Sequence, residues 1–220
     1  MEQQIKSETI KIVTPVGTRF RYSWLVEPDE YKGVKKWKTE AIIPVGSKVT
    51  IDGKEHEATS YISDKLSELI ESWKQQLKAA YPKREFTLTK NKDGKPSFPF
   101  AFEEDGLVIR LKKNYLKASG GTNKPIVFFK HDSESGQNLL MTDEEKQDMI
   151  KISPQSTGQI SFLAQGYDAG ANGVGIRCMP LSICFREIVT NNGADDFETT
   201  PAAEPSSYEE KETVSTGADF

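Results

Sequence analysis

At 220 residues the chain suffices for one sizeable core, or for one domain carrying a disordered extension. Its net charge of −4 hides an asymmetry: residues 191–220 hold eight carboxylates against Lys211 alone, a net −7, which leaves residues 1–190 at +3. The opening MEQQIKSE is polar, with no apolar run of signal-peptide length behind it, and no window reaches the length of a membrane helix, so a cytoplasmic protein is expected.

Thr9 to Val26 reads as two short strands around Thr14-Pro15-Val16-Gly17. The second alternates with a period of two, placing Phe20, Tyr22 and Trp24 on one face and Arg19, Arg21 and Ser23 on the other. Phe20 and Tyr22 read as core, whereas Trp24 suits either the core or a ligand. A Pro28-Asp29 turn then leads through Tyr31, Lys32, Gly33, Lys35, Lys36, Trp37 and Lys38, a loop of cations and aromatics, into a strand closing on Ile43-Pro44. Asp52-Gly53, between Lys48–Ile51 and Lys54–Glu57, is a tight-hairpin signal because both turn positions need positive φ.

Ile62 to Ala80 is the one convincing helix. Leu66, Leu69, Ile70, Trp73 and Leu77 fall on a single apolar stripe, Ser60 or Ser63 can cap its start, and Tyr81-Pro82 ends it. Trp73 is therefore expected in the core. Glu85 to Phe102 reads as a loop with edge-strand character around Asp93-Gly94-Lys95-Pro96.

The next stretch, Leu107 to His131, carries Arg110, Lys112, Lys113, Lys117, Lys124 and Lys130 without one carboxylate, and reads as two strands around Ser119-Gly120-Gly121. Interleaved are Tyr115, Phe128 and Phe129. Cations attract phosphate and ring faces stack unpaired bases, a combination suited to a flexible, single-stranded polyanion. The bland alternative is a hairpin with core aromatics and a solvated lysine face. A hairpin around Glu134-Ser135-Gly136, a helical turn within Asp143 to Asp148, and two strands, Gln159 to Tyr167 and Val174 to Val189, complete the body. Many short strands and one helix point to a small barrel with a helix packed on it, a mainly β fold. Cys178 and Cys184 would lie roughly 20 Å apart on a straight strand, too far for a disulfide.

No catalytic constellation emerges. His56 and His131 lack Cys or His partners at ligand spacing, and neither Gly120-Gly121 nor Gly166 to Gly175 matches a phosphate loop. The chain is expected to be no enzyme and to need no cofactor or metal, although scattered carboxylates leave a nuclease as an alternative, beside a binder of structured RNA or duplex.

Several motifs in order resemble the single-stranded-DNA-binding proteins that short-tailed bacteriophages encode for replication. They are Gly17-Thr18 followed by Tyr22, Trp24-Leu25 and Pro28-Asp29; Gly33-Val34 and a strand closing on Ile43-Pro44; Arg110, Lys112 and Tyr115; Pro125-Ile126-Val127; a glycine-rich final hairpin; and a tail ending in Asp219-Phe220. Two departures are that Tyr115 falls one residue late after its lysine, and that Gln159-Ile160-Ser161 stands where the family is basic.

The resemblance implies an OB-fold-like five-stranded barrel with extra hairpins over residues 1–190, and a disordered acidic tail over 191–220 that competes with DNA and recruits replication proteins such as polymerase and helicase or primase. It also implies a homodimer in which the tail takes part. The residues expected at phosphates are Arg21, Lys35, Lys36, Arg110, Lys112, Lys113 and Lys130. Those expected at bases are Trp37, Tyr115, Phe128 and Tyr167, with Trp24 as a further candidate and Asp219 and Phe220 as the partner-binding end of the tail.

Overall fold

The structure, a computed structural model, describes residues 5–147, 149 and 152–189. In chain order the elements are β1 (Thr9–Val13), β2 (Thr18–Tyr31), β3 (Val34–Pro44), β4 (Lys48–Ile51), β5 (Lys54–Glu57), α1 (Ala58–Ala80), β6 (Phe100–Glu103), β7 (Gly106–Asn114), β8 (Val127–His131), β9 (Asn138–Leu140), α2 (Asp143–Gln147), β10 (Thr157–Asp168) and β11 (Val174–Glu187). The expected mainly β fold with one packed helix is the fold observed.

Five strands pair in a ring. β2 runs antiparallel to β3, and β3 to β7. β7 meets β11 in parallel at Leu111 and Cys178, β11 runs antiparallel to β10, and β10 returns to β2 where Thr157 and Gly158 face Arg19 and Thr18. This is an OB-like arrangement, with β1 added on β10, β6 on β7, and the β8–β9 hairpin on β11. The basic stretch forms only a short hairpin around Ser119-Gly120-Gly121, where Leu116 and Thr122 bridge antiparallel. Its strands β7 and β8 both lie parallel to β11 instead of pairing with each other.

Alternating residues of the ring fill its interior: Phe20, Ile43, Leu107, Ile109, Leu111, Ile160, Phe162, Ile183 and Phe185 are buried. The rings of Phe20 and Phe185 meet edge to face at 5.5 Å. Helix α1 lays Ile62, Leu66, Leu69 and Ile70 against this core, and Trp73 and Leu77 against Val174. Burial of each such side chain contributes roughly 1.5–3 kcal/mol, enough to hold the helix on the sheet. Trp73 approaches so closely that a Cβ at Gly166 would come within 2.5 Å of its ring, and its indole N–H donates to the Tyr167 carbonyl at 3.1 Å. That fixes the end of β10 to the helix.

The helix begins four residues before the sequence pattern suggests, because Glu57 and not a serine caps it. The Glu57 carboxylate accepts from the Ser60 amide at 2.7 Å and from the Thr59 hydroxyl. Asp52 and Gly53 do turn the β4–β5 hairpin, at φ of 50° and 76°. Pro28-Asp29 does not turn the chain. β2 continues through it and reverses at Lys32-Gly33, where both φ values are positive. Cys178 and Cys184 are free thiols, and burial pushes Cys178 up to about 12.

Candidate nucleic-acid interface

The pleat of β3 and β7 sorts the basic residues onto two faces. Trp37, Thr39, Ala41 and Ile43 point to the core with Leu107, Ile109 and Leu111. Their neighbours Lys36, Lys38 and Glu40 stand on the outer face, opposite Asn114, Lys112 and Arg110. Three adjoining recesses run along that outer face. One of about 620 Å³ is lined by Tyr31, Lys32, Lys36, Lys38 and Lys112. A second of about 220 Å³ is lined by Tyr22, Lys38, Glu40, Arg110 and Lys112, and a third of about 260 Å³ by Phe98, Arg110, Lys112, Tyr167 and Arg177. Lys112 belongs to all three, so together they form one continuous groove.

A bulge in β2 brings aromatics to this groove. Between the pairs Arg21–Glu40 and Trp24–Lys38, β2 advances three residues while β3 advances two. The extra residue is Tyr22, at φ 52°, a left-handed conformation that a bulky side chain rarely adopts. Buried Thr39 pins the bulge from inside, its hydroxyl 2.9 Å from Ser23 Oγ and 3.3 Å from the Arg21 carbonyl. The strand's parity reverses as a result. Phe20 faces in, Tyr22 and Trp24 are 69% and 46% exposed, and Leu25 takes the next inward place. Tyr22, expected in the core, is therefore a groove residue, and Trp24 opposite Lys38 shares its face.

Charge balance separates the cations further. Lys32, Lys36 and Lys112 form no ion pair among the described residues, and Arg177 binds only the neutral Gln165 side chain, at 2.6 Å. Lys38 is held by Asp29 at 2.5 Å, and Arg110 lies 3.4 Å from Glu40. Arg21 is committed elsewhere: Glu40 at 2.6 Å and Glu103 at 2.7 Å bind its guanidinium and hold it protonated far above its ordinary range. A phosphate would have to displace both carboxylates.

Of the residues expected from the sequence, the groove gathers Trp24, Lys36, Arg110, Lys112 and Tyr167. Tyr167 is anchored by its hydroxyl to Thr89 at 3.1 Å. The others lie apart. Trp37 and Phe128 are 4% and 3% exposed and offer no ring face to a base, which corrects their expected stacking role. Tyr115 packs on Trp37 at 5.3 Å between ring centres. Lys113 sits on that same side, 5.9 Å from the Trp37 ring, and burial lowers its pKa. Lys35 pairs with Glu30, and Lys130 with Glu145. Asp219 and Phe220 lie outside the described residues.

Sequence reasoning omitted Tyr22, Tyr31, Lys32, Lys38, Phe98 and Arg177 from the site. Three of these, Tyr31, Lys32 and Lys38, sit in the cation-rich stretch where β2 reverses into β3 and could have been included. Arg177, a cation between the apolar Ile176 and Cys178 of β11, was also a usable signal. Tyr22 could not have been found, because nothing in the alternation marks the bulge. Among the described residues no group of three or more His, Cys, Asp or Glu side chains gathers at metal-binding distance, and no helix is long and apolar enough to cross a membrane.

No family model matches the chain, and no curated protein sequence matches it. Solved structures do. The single-stranded DNA binding protein gp2.5 encoded by bacteriophage T7 is 14% identical, with a TM-score of 0.59 over 89% of this chain and 99% of its own. The single-stranded DNA-binding protein of bacteriophage Enc34 is 14% identical, with a TM-score of 0.46 over 88% of this chain and 89% of its own. The Enc34 protein has also been solved in complex with ssDNA, at 14% identity and a TM-score of 0.46 over 81% of this chain and 86% of that one. The likeness to the T7 protein spans nearly all of that chain and establishes a shared fold.

Proposed function

We propose that this protein coats single-stranded DNA without strong sequence preference, as a non-catalytic component of phage DNA replication, recombination or repair. The reading rests on one observation: along a single face of the OB-like ring, Lys32, Lys36, Lys112 and Arg177 have no acidic partner among the described residues and alternate with exposed Tyr31, Tyr22, Trp24 and half-exposed Phe98 and Tyr167. Cations spaced with rings bind a strand whose bases are unpaired, because every base has a face to stack and every nucleotide a phosphate. The fold shared with the T7 protein supports this reading.

These four cations set the salt dependence of a strand that stays within the groove. At roughly −0.7 per neutralised phosphate on single strands, its log-log slope of affinity against salt should be near −3. A slope near zero, or preference for duplex in direct competition, would defeat the proposal.

The acidic segment 191–220 is proposed to compete with DNA for the groove, to take part in homodimer formation, and to recruit replication proteins such as polymerase or helicase. Its net charge of −7 complements the groove, and tethering gives it an effective concentration on the order of millimolar. Deleting residues 191–220 should tighten single-strand binding, most at low salt, and abolish recruitment. Equal affinity for full-length and truncated protein at low salt would exclude competition.

A further inference from the structure

Beyond the groove lies a second basic surface, at the C-terminal end of α1. A recess of about 520 Å³ is lined by Lys74, Lys78, Lys83, Arg84, Glu85, Phe86 and Thr87. Lys74, Lys78 and Lys83 form no ion pair among the described residues, which contrasts with Lys65 on the same helix, paired with Glu68 at 2.7 Å. Lysines near a helix C-terminus gain from the helix dipole, and that alone accounts for Lys78. It does not account for Lys83, which lies beyond the helix, or for the arrangement of the residues that follow.

Those residues tie the recess to the end of the groove. Arg84 binds Asp168 through two hydrogen bonds, of 2.6 and 2.7 Å, and donates to the Gly170 carbonyl at 3.0 Å, with its guanidinium 4.6 Å from the centre of the Phe86 ring. Asp168 follows Tyr167, a groove residue. Thr87 accepts the Val174 amide at 2.8 Å, Thr89 donates its own amide to the Val174 carbonyl at 2.9 Å, and the Thr89 hydroxyl receives the Tyr167 hydroxyl. The strip from Arg84 to Thr89 is thus stitched to the start of β11 and to Tyr167. Arg84 to Thr87 line the recess and Thr89 bonds the groove's Tyr167, so the two surfaces adjoin.

We infer that single-stranded DNA leaving the groove past Phe98, Tyr167 and Arg177 continues over this strip onto Lys74, Lys78 and Lys83, which form an outer phosphate-binding subsite. The inference rests on the groove reading and extends it. Arg84 is a positioning residue here: its charge is spent on Asp168, and it holds the strip that joins the two surfaces. The three lysines supply attraction without rings, so the subsite binds backbone and is indifferent to bases.

The test uses the full-length protein and two oligothymidylates, one of about 4 and one of about 16 nucleotides, the ends of the range for an OB-type site. In Lys74→Ala/Lys78→Ala/Lys83→Ala the salt slope for the longer strand should flatten by about 2, from three lost contacts at roughly 0.7 each. Affinity and slope for the shorter strand should not change. The charge-reversing pair Lys78→Glu/Lys83→Glu, at two exposed positions, should weaken the longer strand further, with only a small fall in thermal midpoint from the reversed charge at the helix C-terminus. An unaltered slope for the longer strand in both variants, or an equal loss for both lengths, would overturn the outer subsite. Absence of binding by the unsubstituted protein to either strand would instead overturn the groove reading itself.

Discussion

The two faces of the β3–β7 ladder are built from similar residues and have opposite surroundings. On the outer face Lys36, Lys38, Arg110 and Lys112 line open recesses beside Tyr22 and Trp24. On the inner face Trp37 is buried, Tyr115 rests on it, and Lys113 is partly desolvated above its ring. A window of sequence sees both sets as one mixture of cations and aromatics. Position relative to the pleat, and not composition, determines which of them a strand of DNA could reach.

The largest expected effect breaks the comparison at its aromatics. Trp37→Ala should cost roughly 3–5 kcal/mol of stability, because it empties a packed site, and its thermal midpoint should fall accordingly. Tyr22→Ala should leave the midpoint nearly unchanged and cost roughly 1–3 kcal/mol of single-strand binding. A Trp37→Ala protein that melts normally yet has lost DNA binding would mean that the stacking face has been placed on the wrong side of the ladder.

Much of the fold was legible because it rests on local signals. The Asp52-Gly53 turn, the helical stripe from Leu66 to Leu77 and the final pair of strands each carry their own periodicity or turn chemistry. Misreadings came where distant partners decide. β7 and β8 look like a hairpin, but each is captured by β11, which begins 47 residues after β8 does. Pro28-Asp29 looks like a turn, but β2 continues through it on the support of β3. The site suffered more than the fold, since one extra residue at Tyr22 turns Trp24 outward and Leu25 inward, until a second register shift between Trp24 and Asp29 restores the alternation. Arg21 was lost for a different reason. Its neutralising partners Glu40 and Glu103 lie 19 and 82 residues away, so no local count of charge could include them.

Those same carboxylates offer a sharper test of the outer face. Glu40 is a negative charge on the groove wall, shared between Arg21 and Arg110. Glu40→Gln keeps the shape, leaves Arg21 bonded to Glu103, and frees Arg110 toward a phosphate. Removal of one opposing charge near the strand should tighten binding by roughly 1 kcal/mol at low salt. The gain should fade as salt screens it. Weaker binding with an unchanged melting curve would show that Glu40 positions Arg110 for DNA instead of competing with it.

The smallest effect is the most discriminating, because it compares adjacent residues of one type. Lys112 lines all three recesses, whereas Lys113 turns to the opposite side, where burial lowers its pKa. Lys112→Ala should flatten the log-log salt slope by about 0.7, the contribution of one phosphate on a single strand. Lys113→Ala should leave the slope unchanged. Measurements above about 0.1 M salt matter here, since the screening length is then about 10 Å or less and a lysine acting through the sheet contributes little. Lys113→Ala should instead lower the thermal midpoint slightly, because its aliphatic stem covers the Trp37 ring. If both alanine variants flatten the slope equally, DNA wraps the edge of the ladder near Asn114 and reads both faces; if only Lys113→Ala does so, the binding face is the one now assigned to the core.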